Sequence, residues 1–446
     1  MRSRTLFFTW QFFILLLFII FQNVSADEGK SKVYTLDESI KEALSNNWSI
    51  KAKQEKIEET IYGKKKARAD FFPKFSTTYG YTRLDDVGRS APTSFGGFTI
   101  PGRELNTQDN YQWKGTITQP LFTGFALKSA YELAKLGIDL SEMELELGKL
   151  ELALRVKEVY FNILKADKAV QVVEKAVEAL ASHVKVASSF YKVGMIPIND
   201  LLKAEVELAN AQYNLVKAQN ASKLARAAFN TTLSRPVNEP VEVEDIVSYT
   251  PKEGDFEAYL GRSLQKRPEI KLIDVNMLQT DQQVRLAKSK YYPEAALTYD
   301  YIKAGDHPDV SGSNFHDGNS WQVTAVLSWT FWEWGKTRNA VGEAESVKTQ
   351  LMKTRLALID NVSFEIRQAM LDLEQEEKNI PTTKKAIEQA EENLRVSQER
   401  YKAQVTTSTE VLDAQTLLTE AGVNYYRALY DRNLAKARLQ RAMGEY

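Results

Sequence analysis

The sequence predicts a mainly α-helical fold that carries a transmembrane β-barrel segment. Three observations predict it: the chain repeats itself, it holds a helical stretch of roughly 65 residues without proline, and it holds four short, aromatic-rich segments of alternating polarity. Residues from about Thr35 to Leu233 return in the same order between about Glu257 and Met443. Pro73, Tyr79 and Tyr81 meet Pro293, Tyr299 and Tyr301 at an offset of 220. Further on, Tyr191-Lys192, Leu202, Ala204 and Asn214 meet Tyr401-Lys402, Leu412, Ala414 and Asn424 at an offset of 210, so the first copy carries a loop ten residues longer. Two long copies in one chain point to a pseudo-symmetric object such as a pore or barrel. The expected organisation is a first repeat over 27–233, a link over 234–255 and a second repeat over 256–446.

The chain opens with Arg2 and Arg4, an apolar run over Phe12–Phe21, and Val24-Ser25-Ala26, which together predict a cleaved signal peptide over residues 1–26. Its loss moves the formal net charge from −1 to −3, which argues against a nucleic-acid partner. There is no cysteine, which suits an exported chain and excludes a lipid-bearing N-terminal Cys. Three histidines and no cysteine leave little material for a metal centre or a nucleophile, so no cofactor, metal or catalytic residue is expected. No later window has the apolar length of a transmembrane helix, and a chain of this kind crosses a membrane only with strands.

Each copy reads as short helix, strand, loop, strand, very long helix, turn, long helix. The first short helix opens on a capping-box pattern, Thr35 and Glu38, breaks near Asn46-Asn47 and ends before Pro73. Its counterpart runs from about Phe256 to Lys290 with a break at Arg267-Pro268. In the strands, Tyr111, Trp113, Gly115, Ile117, Gln119 and Leu121 share one face, and Gln112, Lys114, Thr116 and Thr118 the other. Trp321, Val323, Ala325, Leu327, Trp329 and Phe331 repeat the pattern, as do segments near Phe75–Arg83 and Ala295–Lys303. Segments of about ten residues, apolar outward and polar inward with aromatics towards their ends, are the mark of a membrane barrel. Four strands cannot close a barrel that needs at least about eight, so the chain must oligomerise. The connecting loops, Asp85–Asn110 and Ala304–Asn319, are polar; Asp306, His307, Asp309, His316 and Asp317 read as a solvated loop rather than a metal site.

The long helices are expected over Ala126 to about Lys192 and Lys336–Lys402, each a rod of about 100 Å. Their shorter partners are expected over Pro197 to about Leu233 and Thr409–Met443. Small and apolar residues at helical spacing, such as Leu201, Val206, Leu208, Ala211, Leu215 and Ala218, predict close antiparallel packing. Pro381 predicts a kink or local break. The segment Ser234–Asp255, rich in Pro, Val and acids, is expected to wrap the helices as a belt.

Together these features resemble the TolC family of outer-membrane efflux channels. The likeness is carried by Leu36-Asp37-Glu38-Ser39-Ile40 with Ala43-Leu44 and Asn47, by Ala69-Asp70-Phe71-Phe72-Pro73, and by Gln119-Pro120-Leu121-Phe122-Thr123-Gly124. It continues in Tyr191-Lys192-Val193-Gly194 with Asp200-Leu201-Leu202-Lys203-Ala204, and in Tyr401 with Glu410-Val411-Leu412-Asp413-Ala414. The resemblance implies a homotrimer with one 12-stranded barrel in the outer membrane and a hollow α-barrel across the periplasm. It implies outer-membrane lipid, a periplasmic adaptor and an inner-membrane pump as partners, within a tripartite efflux pump or a type I secretion system. It also implies a gate at the periplasmic helix tips. The gate candidates are Asp200, Lys203, Tyr401, Thr406, Glu410 and Asp413. Glu410 and Asp413, spaced i,i+3, share a helix face, and in a trimer they would ring a constriction with six carboxylates that favour cations. Where the family often has a basic latch residue this chain has Thr406, which leaves Tyr401 and Lys203 as substitutes. The adaptor is expected at Val193-Gly194-Met195 and Ala403-Gln404-Val405, and because the second tip has Gln for Gly the two tips are expected to differ in shape. The competing reading is a periplasmic coiled-coil scaffold without a pore, which would need the helical hairpins but not the alternating strands.

Overall fold

A computed structural model describes residues 33–246, 254–315 and 317–446. The expected signal peptide, part of the link and His316 lie outside the described residues. The chain begins with a two-residue strand, β1 (Val33–Tyr34), then helices α1 (Leu36–Asn46) and α2 (Trp48–Ala69). The Thr35/Glu38 capping box is formed in both directions, and the Asn47 side chain caps α2 by accepting from the Ser49 amide. Strands β2 (Lys74–Arg83) and β5 (Asp109–Thr123) follow, with a small hairpin, β3 (Thr93–Phe95) and β4 (Phe98–Ile100), between them. The long helix α3 (Ala126–Lys192) and its partner α4 (Ile198–Thr232) complete the first set. After β6 (Glu242–Val243) come α5 (Phe256–Lys266), α6 (Pro268–Lys288), β7 (Glu294–Gly305), β8 (Asn319–Ser328), α7 (Lys336–Lys402) and α8 (Ser408–Ala442).

The four longer strands form one antiparallel sheet in the order β2-β5-β7-β8. Its register gathers the alternation of each strand onto common faces. Tyr79 pairs with Trp113, Trp113 with Lys303, Ile117 with Tyr299, and Tyr299 with Val323, all on one face. Ring contacts bind that face laterally: Tyr81 with Tyr111 at 4.7 Å, Trp113 with Tyr301 at 6.1 Å and Tyr299 with Trp321 at 6.4 Å. On the opposite face Ser76, Thr116, Asp300 and Gln322 lie in one row. Asp300 accepts from Thr116 at 2.7 Å and Gln322 at 2.9 Å, and Lys114 stands 3.1 Å away. A polar network thus spans three strands and specifies their register, since a one-residue slip would put Asp300 on the aromatic face. Pro120 near the end of β5 coincides with a register shift, where a missing N–H is tolerated. The two outer strands are exposed along their whole length.

Below the sheet, α3 packs against α4 and α7 against α8, and α3 and α8 join the two hairpins. Around the waist, Tyr34, Ile40, Ala43, Val156, Tyr160, Phe229, Leu233 and Val241 form one apolar cluster. The link enters it as a strand: β6 pairs in parallel with β1, and the Tyr160 hydroxyl lies 3.0 Å from the Tyr34 carbonyl and 2.7 Å from the Glu244 carbonyl. The helix breaks have a tertiary purpose. Asn47 Nδ2 donates to the Thr232 carbonyl at 2.9 Å, and at the matching place Arg267 Nη1 reaches the Ala442 carbonyl at 3.5 Å, so each break side chain holds the end of a shorter helix. Arg267, almost wholly buried, also pairs with Glu269 and Glu365, which Arg441 binds from the other side.

Two expectations are corrected. The helix α7 runs through Pro381 without a break. Threonines around the proline donate to backbone carbonyls there, Thr382 to Lys378 and Thr383 to Asn379, so carbonyls near the missing N–H find partners. The last outer strand ends at Ser328, which leaves Trp329 and Phe331 in the turn that leads to α7. Within the first polar loop, Gly96-Gly97 at positive φ close the β3–β4 hairpin between Phe95 and Phe98.

Candidate functional site: the helix tips

The α3–α4 and α7–α8 hairpins end at the pole of the molecule farthest along the helices from the sheet. Val193, Gly194 and Met195 form the first turn, Ala403, Gln404 and Val405 the second, and all six are exposed. The two turns share one backbone design. The Gly194 amide donates to the Tyr191 carbonyl at 2.9 Å and the Met195 amide to the Phe190 carbonyl at 2.9 Å. The Gln404 amide donates to the Tyr401 carbonyl at 2.9 Å and the Val405 amide to the Arg400 carbonyl at 3.0 Å. Gly194 has φ of +75° and Gln404 has φ of +61°. The expected difference in tip shape is therefore not present: Gln404 is held in the left-handed region by the same pair of hydrogen bonds that glycine closes at no steric cost.

The gate candidates fall into two groups. Glu410 and Asp413 are exposed on the first turns of α8, and Lys203 is exposed on α4, with Asp200 half-buried beside it. Glu410 Oε2 lies 3.6 Å from Arg400 Nη1 of the same chain, an ion pair that sequence reasoning missed. Lys203 has no ion pair among the described residues. Tyr401 is 3% exposed and faces the inside of its own protomer, packed with Leu394, Val411, Ala414 and Phe190. Among the described residues the buried Thr406 hydroxyl has no hydrogen-bond partner, and the Tyr401 hydroxyl is buried beside the Ser408 hydroxyl that His183 engages. Burial, and secondarily the charge of Asp200, push the Tyr401 hydroxyl above the ordinary phenol range.

His183 joins the two hairpins at this level. It is buried on α3, its Nε2 is 2.8 Å from Oγ of Ser408 at the start of α8, and its ring stands 4.8 Å from that of Tyr401. Burial holds the imidazole below its usual pKa, so it sits there neutral. Sequence reading had no handle on it, since a lone histidine on a helical face carries no motif. Among the described residues, no group of side chains is arranged to hold a metal ion.

A family model for outer membrane efflux proteins matches residues 39–234 and again 259–445. No curated protein sequence matches the chain. Several solved structures do. The CmeC outer membrane channel of Campylobacter jejuni is 17% identical, with 92% of this chain and 85% of that one covered and a TM-score of 0.76. The outer membrane protein VceC of Vibrio cholerae is 16% identical, with 92% and 96% covered and a TM-score of 0.75. The open state of the Neisseria gonorrhoeae MtrE outer membrane channel is 18% identical, with 92% and 89% covered and a TM-score of 0.72. At these identities the likeness establishes the fold.

Proposed function

The chain belongs to the outer membrane efflux protein family, and from that premise we propose that it is the exit duct of a tripartite efflux pump or type I secretion system, gated at its periplasmic helix tips. It is an outer-membrane efflux channel with its helical part in the periplasm. The observation that carries the finer reading is the open sheet. Four strands with an aromatic outer face and a polar inner face end in two fully exposed edges. Exposed edges of ten residues are an association hazard unless another chain pairs with them. Three copies joined edge to edge give twelve strands and no edge. Two helices of 67 residues continue from the sheet, each about 100 Å long, which suits a periplasm-spanning tunnel. The periplasmic scaffold reading leaves the aromatic sheet face without a purpose.

Gating is supported by the state of the tips. Exposed Glu410 and Asp413 face a shared surface of α8, and a buried hydroxyl without a partner, as at Thr406, costs about 1–3 kcal/mol. A tip whose packed state is incompletely satisfied is a natural place for motion. The adaptor would seat on the exposed turns at Val193–Met195 and Ala403–Val405, and the pump would act through it.

Planar-bilayer conductance of the purified, detergent-extracted protein tests the gate. The Glu410→Ala, Asp413→Ala double variant is expected to lose cation preference or to leak more at rest. Conductance and selectivity equal to those of the parent protein would remove both residues from the gate.

A further inference from the structure

The places where helix turns into strand carry a pattern that the duct does not use. Before β2, α2 ends in Lys64-Lys65-Lys66-Ala67-Arg68, followed by Phe71-Phe72-Pro73. Before β7, α6 ends with Arg285 and Lys288, and Lys290 then precedes Tyr291-Tyr292-Pro293. Each junction therefore has cations on the helical side, two aromatic residues and a proline at the turn, and an aromatic sheet face beyond.

The side chains point outwards. Lys65, Lys66, Arg68 and Arg285 are exposed and form no ion pair among the described residues, whereas Lys288 pairs with Glu345 at 3.0 Å and Lys290 with Glu294 at 2.9 Å. Lys65 Nζ lies 4.6 Å over the ring of Tyr62, which aims it along the surface. Phe71, Phe72, Tyr291 and Tyr292 are between 41% and 54% exposed. Complementing the helix dipole accounts for cations in the last turn of α2, but Lys65 lies before that turn and the run is denser than the dipole requires. At about 1.5 Å per residue these cations lie within about 8 Å of the turn into the strand, comparable with the depth of one headgroup layer.

We propose that the two junctions form a basic-aromatic collar that binds the phosphate of anionic phospholipid headgroups in the periplasm-facing leaflet. The aromatic rings sit at the boundary of the hydrocarbon, and the Lys and Arg side chains reach back from it to the headgroups. The first junction carries most of the free charge; the second repeats the aromatic pair and proline with Arg285 as its unpaired cation among the described residues, which separates a collar from a chance run of charge. The proposal rests on the membrane reading above.

The test is reconstitution of the full chain into vesicles of phosphatidylcholine alone and of phosphatidylcholine with phosphatidylglycerol, with thermal stability followed as lipid is titrated into detergent-solubilised protein. Phosphatidylglycerol is expected to stabilise the protein at lower concentration than phosphatidylcholine, by about tenfold or more for three cations. Lys65→Gln, Lys66→Gln, Arg68→Gln together are expected to abolish that preference. Lys65→Arg, Lys66→Arg, Arg68→Lys together are expected to keep it, which separates charge from folding. Equal response to both lipids, a preference retained by the glutamine variant, or equal stabilisation by inorganic phosphate would overturn the collar. Failure to enter either kind of vesicle would overturn the membrane reading and the collar with it, whereas insertion into both without preference sinks the collar alone.

Discussion

His183 shows how much one side chain can couple. It connects α3 to the first residue of α8 and lies tilted against the ring of Tyr401 of α7, so three of the four tip helices meet at one imidazole. The charged groups that neighbouring elements bring to this end are Asp200 and Lys203 on α4, Arg400 and Lys402 on α7, and Glu410 and Asp413 on α8. Glu410 is tied to Arg400, and none of them is bonded to the ring. Because burial lowers the folded-state pKa, the opened or unfolded chain binds the proton more readily. The contribution of this packing is therefore fully present above the ordinary histidine value of about 6.5 and is lost as pH falls below it. Amide exchange at residues 183–200 and 401–413 is expected to quicken between pH 7.5 and 5.5, after correction for intrinsic rates, and His183→Gln is expected to flatten that change. An identical pH response in the variant would assign the effect to other groups.

At the scale of elements, the tip turns carry the clearest consequence. A left-handed conformation costs a residue with a Cβ about 1–2 kcal/mol relative to the right-handed one, and Gln404 bears that cost where Gly194 does not. Gln404→Gly is expected to stabilise the second hairpin by up to about 1 kcal/mol, and Gly194→Ala to destabilise the first by about the same amount. Urea unfolding midpoints of the two variants check this; shifts in the same direction would refute the shared turn geometry. Much at this scale was legible. The Thr35/Glu38 pair marked a helix start, the breaks at Asn47 and Arg267 were readable, and alternation located the strands. Pro381 was misleading because propensity describes an isolated helix, and here threonines and a packed partner hold α7 together. The Phe95-Gly96-Gly97-Phe98 hairpin was readable from its glycine pair but hidden within a polar, glycine-rich loop.

Across the whole molecule, the lone chain is an unfinished surface. Both outer strands expose backbone edges, and apolar side chains such as Val206, Tyr213, Leu224 and Phe364 stay exposed along α4 and α7. The absence of native cysteine allows a direct check of the proposed trimer. A cysteine at Thr77 on β2, combined with single cysteines scanned along β8, is expected to cross-link at one register on oxidation and to give a ladder that stops at three chains. A ladder that runs on past three, or no bridge at any register, would rule out edge-to-edge closure.

By itself the sequence determined the period of each element, the two helix breaks, the polarity of the strand faces and the resemblance to an efflux-channel family. These are local or internally repeated signals, and a period of 2 or 3.6 is visible without knowing what lies opposite. Only the tertiary structure decided that Arg400 pairs with Glu410, that Tyr401 is buried within its own protomer, and that His183 meets Ser408 across 225 positions of chain. It alone decided that Asn47 and Arg267 reach the ends of helices 185 and 175 residues away. Such contacts depend on how rods of many turns cross and slide past one another. That geometry is set by packing summed over whole helices, so no local window of sequence contains it.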